Sequence, residues 1–184
     1  VLIAVESANQ PTLDRFVKAL KVEDVEKGAK WASKAGLAVH LTFMFGHAWE
    51  GPGEIANTVA LARKLLAGGH AATLQCTLTI PYPGTPLFRE LKESDGLTTL
   101  DWDEYDQRTA ITKTPLASED DIKTAICEVY RGFLQPRAIW HLFRRNLFDV
   151  SFYWRGLKYL KGHLTDFSNK EKNGAENGNV EQNC

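Results

Sequence analysis

Three short polar clusters contain the side chains of this 184-residue chain that are best suited to chemistry. Glu6 and Ser7 follow the apolar run that opens the chain, residues 46–50 (Gly-His-Ala-Trp-Glu) follow a second apolar run, and residues 82–85 follow a third. Carboxylate, hydroxyl and imidazole groups bind polar ligands and exchange protons. Parallel α/β proteins bind ligands at the carboxyl ends of their strands, so we expect the three clusters to meet in one ligand site.

The elements that must position these clusters follow from hydrophobic periodicity. Residues 1–5, 37–45 and 72–80 have the apolar, β-branched composition of buried strands, and helical spacing follows each run. Alternating strands and helices predict right-handed βαβ units and a parallel sheet with both faces covered. Three strands leave a bare edge, so we expect partner strands elsewhere in the polypeptide or association through that edge. Because the chain opens inside a strand, it is expected to be a fragment.

Composition excludes several classes of protein. The chain is 43% hydrophobic and 24% charged with a formal net charge of −1, which argues against a generally basic nucleic-acid binder and an acidic disordered chain. Cys76, Cys127 and Cys184 have neither CxxC nor CxxxCxxC spacing, so the sequence contains no local zinc or iron–sulfur motif. Few, scattered cysteines are typical of a reducing compartment, which favours the cytoplasm.

The sequence changes character after residue 97. We expect an acidic linker at 98–117, a helical extension at 118–167 and a disordered tail at 168–184. Basic and aromatic residues alternate between residues 131 and 163. This pattern favours helices whose aromatic side chains pack on the domain while the charges stay in water. Peripheral contact with an anionic membrane is the alternative, and nucleic acid is less favoured.

Three segments in order carry a resemblance to a known family. They read VESANQPTLDRF from residue 5, AGLAVHLTFMFGHAWE from residue 35 and LTIPYPGTPLFRELKESDGL from residue 78. Together they resemble the second half of the barrel of radical S-adenosylmethionine enzymes, and more narrowly the cobalamin-binding branch. The resemblance covers residues 1–97 and implies an α/β fold in which they form the last three βα units of a partial (β/α) TIM-like barrel.

The resemblance also implies an activity. Enzymes of this family reductively cleave S-adenosylmethionine to a 5′-deoxyadenosyl radical that activates a C–H bond, and the cobalamin-binding branch suggests methyl transfer to that carbon of a small-molecule or lipid substrate. The implied cofactors are S-adenosylmethionine, a [4Fe–4S] cluster and cobalamin. The CxxxCxxC loop that holds the cluster in the family is absent. We therefore expect this chain alone to be inactive, and its partner to be a preceding part of the same polypeptide.

Carried over residue by residue, the resemblance implies a set of cofactor-binding positions. These are Glu6, Ser7, Phe45, Gly46, Glu50, Tyr82, Gly84 and Thr85. Glu6 and Ser7 match a strand end beside the ribose and methionyl groups. Phe45 and Gly46 match the segment near the adenine, where a glycine would allow close approach. Glu50 matches a glutamate expected to brace its loop and the next helix N-terminus.

Other residues have weaker assignments. His47 and Trp49 are candidates for substrate contact, and an ordinary polar loop residue is the alternative for His47. Glu6 could equally anchor the next helix. Mid-strand His40 is expected to be a core histidine, and Cys76 a small buried hydrophobe. No catalytic residue or metal ligand is predicted. The alternative function is a non-catalytic α/β binding module whose basic, aromatic tail docks on a membrane or nucleic acid.

Overall fold

A computed structural model describes residues 1–106 and 109–145. The chain divides into two compact units, Val1–His141 and Leu142–Cys184. The first unit contains the predicted site, and only residues 142–145 of the second are described. The part of the expected helical extension beyond residue 145, the predicted tail and most of the basic, aromatic stretch lie outside the described residues.

In the described residues, two helices follow the first strand and one helix follows each of the second and third strands. Two further helices come after these. The bounds of the strands and helices are β1 Leu2–Glu6, α1 Gln10–Arg15, α2 Val22–Lys34, β2 His40–Phe45, α3 Pro52–Ala67, β3 Thr73–Leu78, α4 Pro86–Glu93, α5 Glu119–Arg131 and α6 Pro136–Arg145. Short 3-10 helices occupy Trp102–Glu104 and Gly132–Leu134. Among the residues that the structure describes, none of these helices is long and apolar enough to cross a membrane.

The three strands form a parallel sheet in the order β1-β2-β3. The expected α/β class and parallel pairing are therefore confirmed. In the register, Leu41 of β2 lies between Ile3 of β1 and Leu74 of β3. Because the strands run parallel, the carboxyl ends of all three lie at one edge of the sheet. Each of the three polar clusters comes after one of these strand ends.

The face of the sheet that carries Leu41, Phe43 and Phe45 is fully buried and is here called the sealed face. The opposite face is only half-buried, so the expectation of two covered faces is wrong for the described residues. On β2, Leu41, Phe43 and Phe45 are fully buried, whereas the alternate residues are half-buried. His40 belongs to this second, more polar face, where its Nδ1 shares a hydrogen bond of 2.8 Å with Thr73 Oγ1. His40 is therefore not a core histidine. Alternating apolar and polar side chains on β2 explain why one face only is packed.

The helices α2, α3 and α5 pack on the sealed face. The buried cluster draws on β2, α2, α3 and α5, through Leu41, Phe43, Val25, Ala29, Val59, Leu65, Ile122 and Val129. The segment expected as an acidic linker contributes Ala117 to this cluster, and Ala110 packs against it. Thr112 of the same segment pairs with Leu97 in an antiparallel bridge. The residues after 97 therefore help to build the same core.

The outer edge of β3 is protected at one point by α5. The backbone N–H of Cys76 donates to the hydroxyl of Tyr130 over 3.2 Å. Cys76 itself is a free cysteine, and burial raises the pKa of its thiol to about 12. At neutral pH the group is a protonated thiol, which is a poor metal ligand and nucleophile.

Burial of the sealed face indicates which side chains contribute most to the free energy of unfolding. Replacing fully buried Phe43 with alanine should lower the free energy of unfolding by about 3–5 kcal/mol, because transfer energy is lost and a cavity remains. The matched control is Trp31→Ala on α2, where the side chain is 69% exposed and the change should stay within about 0.5 kcal/mol. Urea unfolding measures both values, and equal losses would contradict this assignment of the core.

Candidate functional site

The end of β1 is bent by a bulge. The pairing of β1 with β2 shifts register between Ala4 and Glu6, and Glu6 has φ of 65°, in the left-handed region. For a residue other than glycine this conformation costs about 1–2 kcal/mol, so neighbouring contacts must hold it. One of them is the ion pair between the Glu6 carboxylate and Lys18 Nζ at 2.5 Å. Bulges of this kind redirect side chains and are common beside active sites.

A buried carboxylate joins the loops that follow β1 and β2. Glu50 is 2% exposed, and its Oε1 accepts hydrogen bonds from Ser7 Oγ at 2.7 Å, Thr12 Oγ1 at 2.6 Å and Asn9 Nδ2 at 3.2 Å. Thr12 Oγ1 in turn accepts from Trp49 Nε1 at 3.1 Å. A carboxylate removed from water requires such donors, since burying it unpaired is very unfavourable. Glu50 therefore holds the two loops together.

The first turns of α3 extend this buried network. Asn9 Nδ2 donates to the carbonyl of Glu54 at 2.8 Å, and Asn57 Nδ2 donates to Asn9 Oδ1 at 3.0 Å. The backbone N–H of Ala8 donates to Thr58 Oγ1 at 3.0 Å. Sequence reasoning missed Asn9 and Thr58. Asn9 is the N-cap residue of α1, and Thr58 lies within the buried stripe of α3. Both positions have common structural explanations, so neither residue stands out in the sequence.

The contacts of His47 identify the ring nitrogen that carries the proton. Thr79 Oγ1 has one hydrogen and donates it to the carbonyl of Phe45 at 3.0 Å, so it accepts from His47 Nδ1 at 2.8 Å. Nδ1 of neutral His47 is thus protonated and Nε2 is an acceptor. Nε2 and Glu50 Oε2 are both buried without a hydrogen-bond partner in the described part of the chain. Burial lowers the pKa of His47, opposed by the charges of Glu50 and Glu6, so the ring is neutral at pH 7.

Aromatic contacts connect the end of α1 to the loop after β2. The Trp49 ring stacks on His47 with centroids 5.3 Å apart, and Phe16 meets His47 edge-on at 5.1 Å. The Arg15 guanidinium lies 4.1 Å from the centroid of the Trp49 ring and also pairs with Glu90 of α4. These contacts link α1, the loop after β2 and α4 above the strand ends.

Gly46, directly after β2, has a left-handed backbone conformation. Its φ is 81°, and a Cβ placed on it would lie 3.7 Å from Leu78 and 3.8 Å from Ile122. Those are ordinary contacts with core side chains, and the left-handed backbone is by itself a reason for a glycine. Close approach of the adenine at Gly46 stays a prediction. The Phe45 side chain is buried in the core, and its carbonyl oxygen accepts from both the N–H and the hydroxyl of Thr79.

The loop after β3 forms a separate group. Thr85 caps α4 by accepting from the N–H of Phe88 at 3.2 Å, and it donates to the carbonyl of Tyr82 at 2.7 Å. Gly84 takes φ of 88°, which the turn needs. The Tyr82 side chain is 45% exposed.

The predicted site residues therefore fall into two groups. One contains side chains that contact each other directly or through the buried network: Ser7, Glu50, His47 and Trp49. The other contains Tyr82, Gly84 and Thr85, and the Arg15–Glu90 pair connects the two. Glu6 lies at the margin of the first group, paired with Lys18. Whether these positions bind a cofactor stays a prediction.

Metal-ligating side chains do not gather in the described part of the chain. No group of three or more His, Cys, Asp or Glu residues there could hold a metal ion. The described residues therefore do not fit an iron–sulfur cluster, whose irons need several thiolate ligands.

Comparison with known proteins points to enzymes. No protein-family model matches the chain. It is 30% identical over 94% of its length to bacteriochlorophyllide d C-8(2)-methyltransferase of Chlorobaculum tepidum, and 27% identical over 85% to an uncharacterised methyltransferase of Pyrococcus horikoshii. It is 23% identical over 91% to the anaerobic magnesium-protoporphyrin IX monomethyl ester cyclase of Cereibacter sphaeroides. The chain spans 38%, 34% and 25% of the lengths of these relatives.

The neutral state of His47 predicts a pH dependence of stability. The folded-state pKa of His47 is lowered below that of an unfolded histidine, about 6.5, so below that pH the unfolded chain binds more protons. Stability should therefore fall as the pH drops from 7 toward 5, by up to about 1.4 kcal/mol per pH unit for this residue. His47→Gln should reduce that slope in urea unfolding series.

His70 is the appropriate comparison, because burial also lowers its pKa and contributes in the same direction. His70→Gln should remove only its own share and leave the contribution of His47. If His47→Gln left the slope between pH 7 and 5 unchanged, the neutral assignment would be wrong.

Proposed function

We propose that this chain forms the ligand-binding wall of a radical S-adenosylmethionine enzyme, most simply a methyltransferase. One observation carries the proposal: the carboxyl ends of three parallel strands lie at one edge of the sheet, and the first ends in the strained, bulged Glu6. The sequence resemblance to that superfamily and the similarity to two methyltransferases and a cyclase support it.

The proposal divides the site residues by role. The Glu6 carboxylate is partly exposed, with 18% of its side-chain surface in contact with solvent, and could accept hydrogen bonds from hydroxyl or ammonium groups of S-adenosylmethionine. Ser7 and Glu50 are buried and already bonded to each other, so we assign them to positioning the loops. Tyr82, at the exposed end of β3, would contact the adenosyl group or the substrate.

The proposal places the other cofactors outside the described residues. Cys76 is a protonated thiol within β3, and no metal-ligating group surrounds it in the described ranges. We therefore assign no step of the iron–sulfur chemistry to these side chains. The resemblance to the cobalamin-binding branch is the sole support for cobalamin.

The partial barrel is part of the same proposal. The order β1-β2-β3 with a helix after each strand is what the last three βα units of such a barrel would show. Preceding strands would then pair with the outer edge of β1, where Leu2 is 61% exposed. The partner would be another part of the same polypeptide, in keeping with the 25–38% of the relatives' lengths that the chain spans.

The relatives also suggest a class of substrate. Two of the three are named for a bacteriochlorophyllide and a magnesium-protoporphyrin ester, which are large, planar, conjugated rings. We propose that the substrate of this protein belongs to the same class of shape.

The natural polypeptide that contains these residues tests the proposal. Prepared anaerobically with its cofactors and supplied with a one-electron reductant, it should cleave S-adenosylmethionine to methionine and a 5′-deoxyadenosyl radical, which becomes 5′-deoxyadenosine on taking a hydrogen atom from the substrate. Glu6→Gln should lower that rate at least tenfold and weaken S-adenosylmethionine binding, because a charged hydrogen-bond acceptor is lost. The control is Glu23→Gln in the first turn of α2, which should keep wild-type values. No 5′-deoxyadenosine from the wild type, or full activity of Glu6→Gln, would refute the corresponding part of the proposal.

A further inference from the structure

Four aromatic side chains form a continuous cluster beside the carboxyl end of β3. They are Tyr82, Phe88, Trp102 and Tyr105, here called the aromatic patch. Ring centroids are 6.4 Å apart for Tyr82 and Tyr105, 4.9 Å for Trp102 and Tyr105, and 6.2 Å for Phe88 and Trp102. The patch therefore joins the loop after β3, α4 and the first 3-10 helix into one surface.

Two rings of the aromatic patch are exposed to solvent. Tyr82 is 45% exposed and Trp102 is 55% exposed. Leu100, two residues before Trp102, is 51% exposed. Large rings grouped on a surface are unusual in a soluble domain and typically mark a binding site. The fold does not need the exposed rings for its core, which the sealed face of the sheet supplies.

The supports of the patch are fixed by local hydrogen bonds. Asp101 caps the 3-10 helix by accepting from the N–H of Asp103 at 3.1 Å. The N–H of Thr98 donates to the carbonyl of Ile111 at 3.0 Å, which closes the segment that carries Trp102. Thr85 caps α4 from the other side. The rings are thus presented by anchored turns, which lowers the entropy lost when a ligand binds.

We propose that the aromatic patch binds a planar conjugated ring by stacking on Trp102 and Tyr82, and that this ring is the substrate. The inference rests on the proposed function and adds the surface that would recognise the substrate. Offset stacking between flat π-systems is favourable and suits an extended ring better than a flexible chain. The patch directly follows a strand end, where parallel α/β proteins bind ligands.

Charged side chains of both signs lie near the patch. Lys92 Nζ lies 6.0 Å from the centroid of the Phe88 ring, on the α4 side. Asp101, Asp103 and Glu104 neighbour Trp102 in the sequence, in the 3-10 helix or at its cap. Carboxylates on one edge of the ligand would therefore turn toward Lys92. The acidic side chains beside Trp102 oppose an anionic membrane as the occupant.

Protoporphyrin IX is a suitable probe, because it is a flat conjugated ring with two carboxylates. Titration of the chain, followed by the absorbance and fluorescence of the probe, should show saturable binding. Trp102→Leu and Tyr82→Leu should each weaken binding at least tenfold. The matched control is Trp31→Leu, an exposed tryptophan on α2, which should bind as the wild type does.

Two further variants keep the test decisive. Trp102→Phe retains a ring and should lose less than threefold, which separates stacking from loss of folding. Lys92→Gln should weaken protoporphyrin IX several-fold and leave its dimethyl ester unaffected. Absence of saturable binding by the wild type, or equal affinities for Trp102→Leu and Trp31→Leu, would overturn the inference. The titration contains no S-adenosylmethionine, so its failure is distinguishable from a failure to form 5′-deoxyadenosine.

Discussion

The removal of one carboxylate from water is the constraint on which the rest of the site depends. Glu50 is buried at the edge of the sheet, and three donors from the β1 loop and α1 converge on its Oε1. An ionised carboxylate in that position is tolerated only when such donors are held in place. Glu50 thus dictates the path of the chain from Ser7 to Thr12, and with it the direction in which the strained end of β1 presents Glu6.

The same constraint shapes the layers above the strand ends. Trp49, adjacent to Glu50, reaches Thr12 with its indole N–H and stacks on His47, whose own proton is directed to Thr79 at the end of β3. The loops after β1 and β2 are therefore tied by several hydrogen bonds, and His47 adds one to Thr79, directly after β3. A preorganised strand-end edge of this sort is what a ligand-binding wall requires.

Part of this architecture could be predicted from the sequence. Strand and helix alternation predicted the parallel sheet, because hydrophobic periodicity is a local property of the sequence. The open face that carries His40 and the buried partners Asn9 and Thr58 could not be predicted in the same way. Those features depend on which distant segments meet, and a polar residue looks alike in sequence whether it faces solvent or a buried carboxylate.

The central claim is that the buried charge of Glu50 organises the strand-end loops, and amide hydrogen exchange tests it most directly. In Glu50→Ala the neutral donors Ser7, Asn9 and Thr12 lose their acceptor. The N–H groups of Ala8 and Asn9 should therefore lose protection, and the free energy of unfolding should fall by about 1–3 kcal/mol. Glu50→Gln, which keeps one acceptor oxygen, should show a smaller change in both. Unchanged protection at Ala8 and Asn9 with wild-type stability in Glu50→Ala would contradict the account.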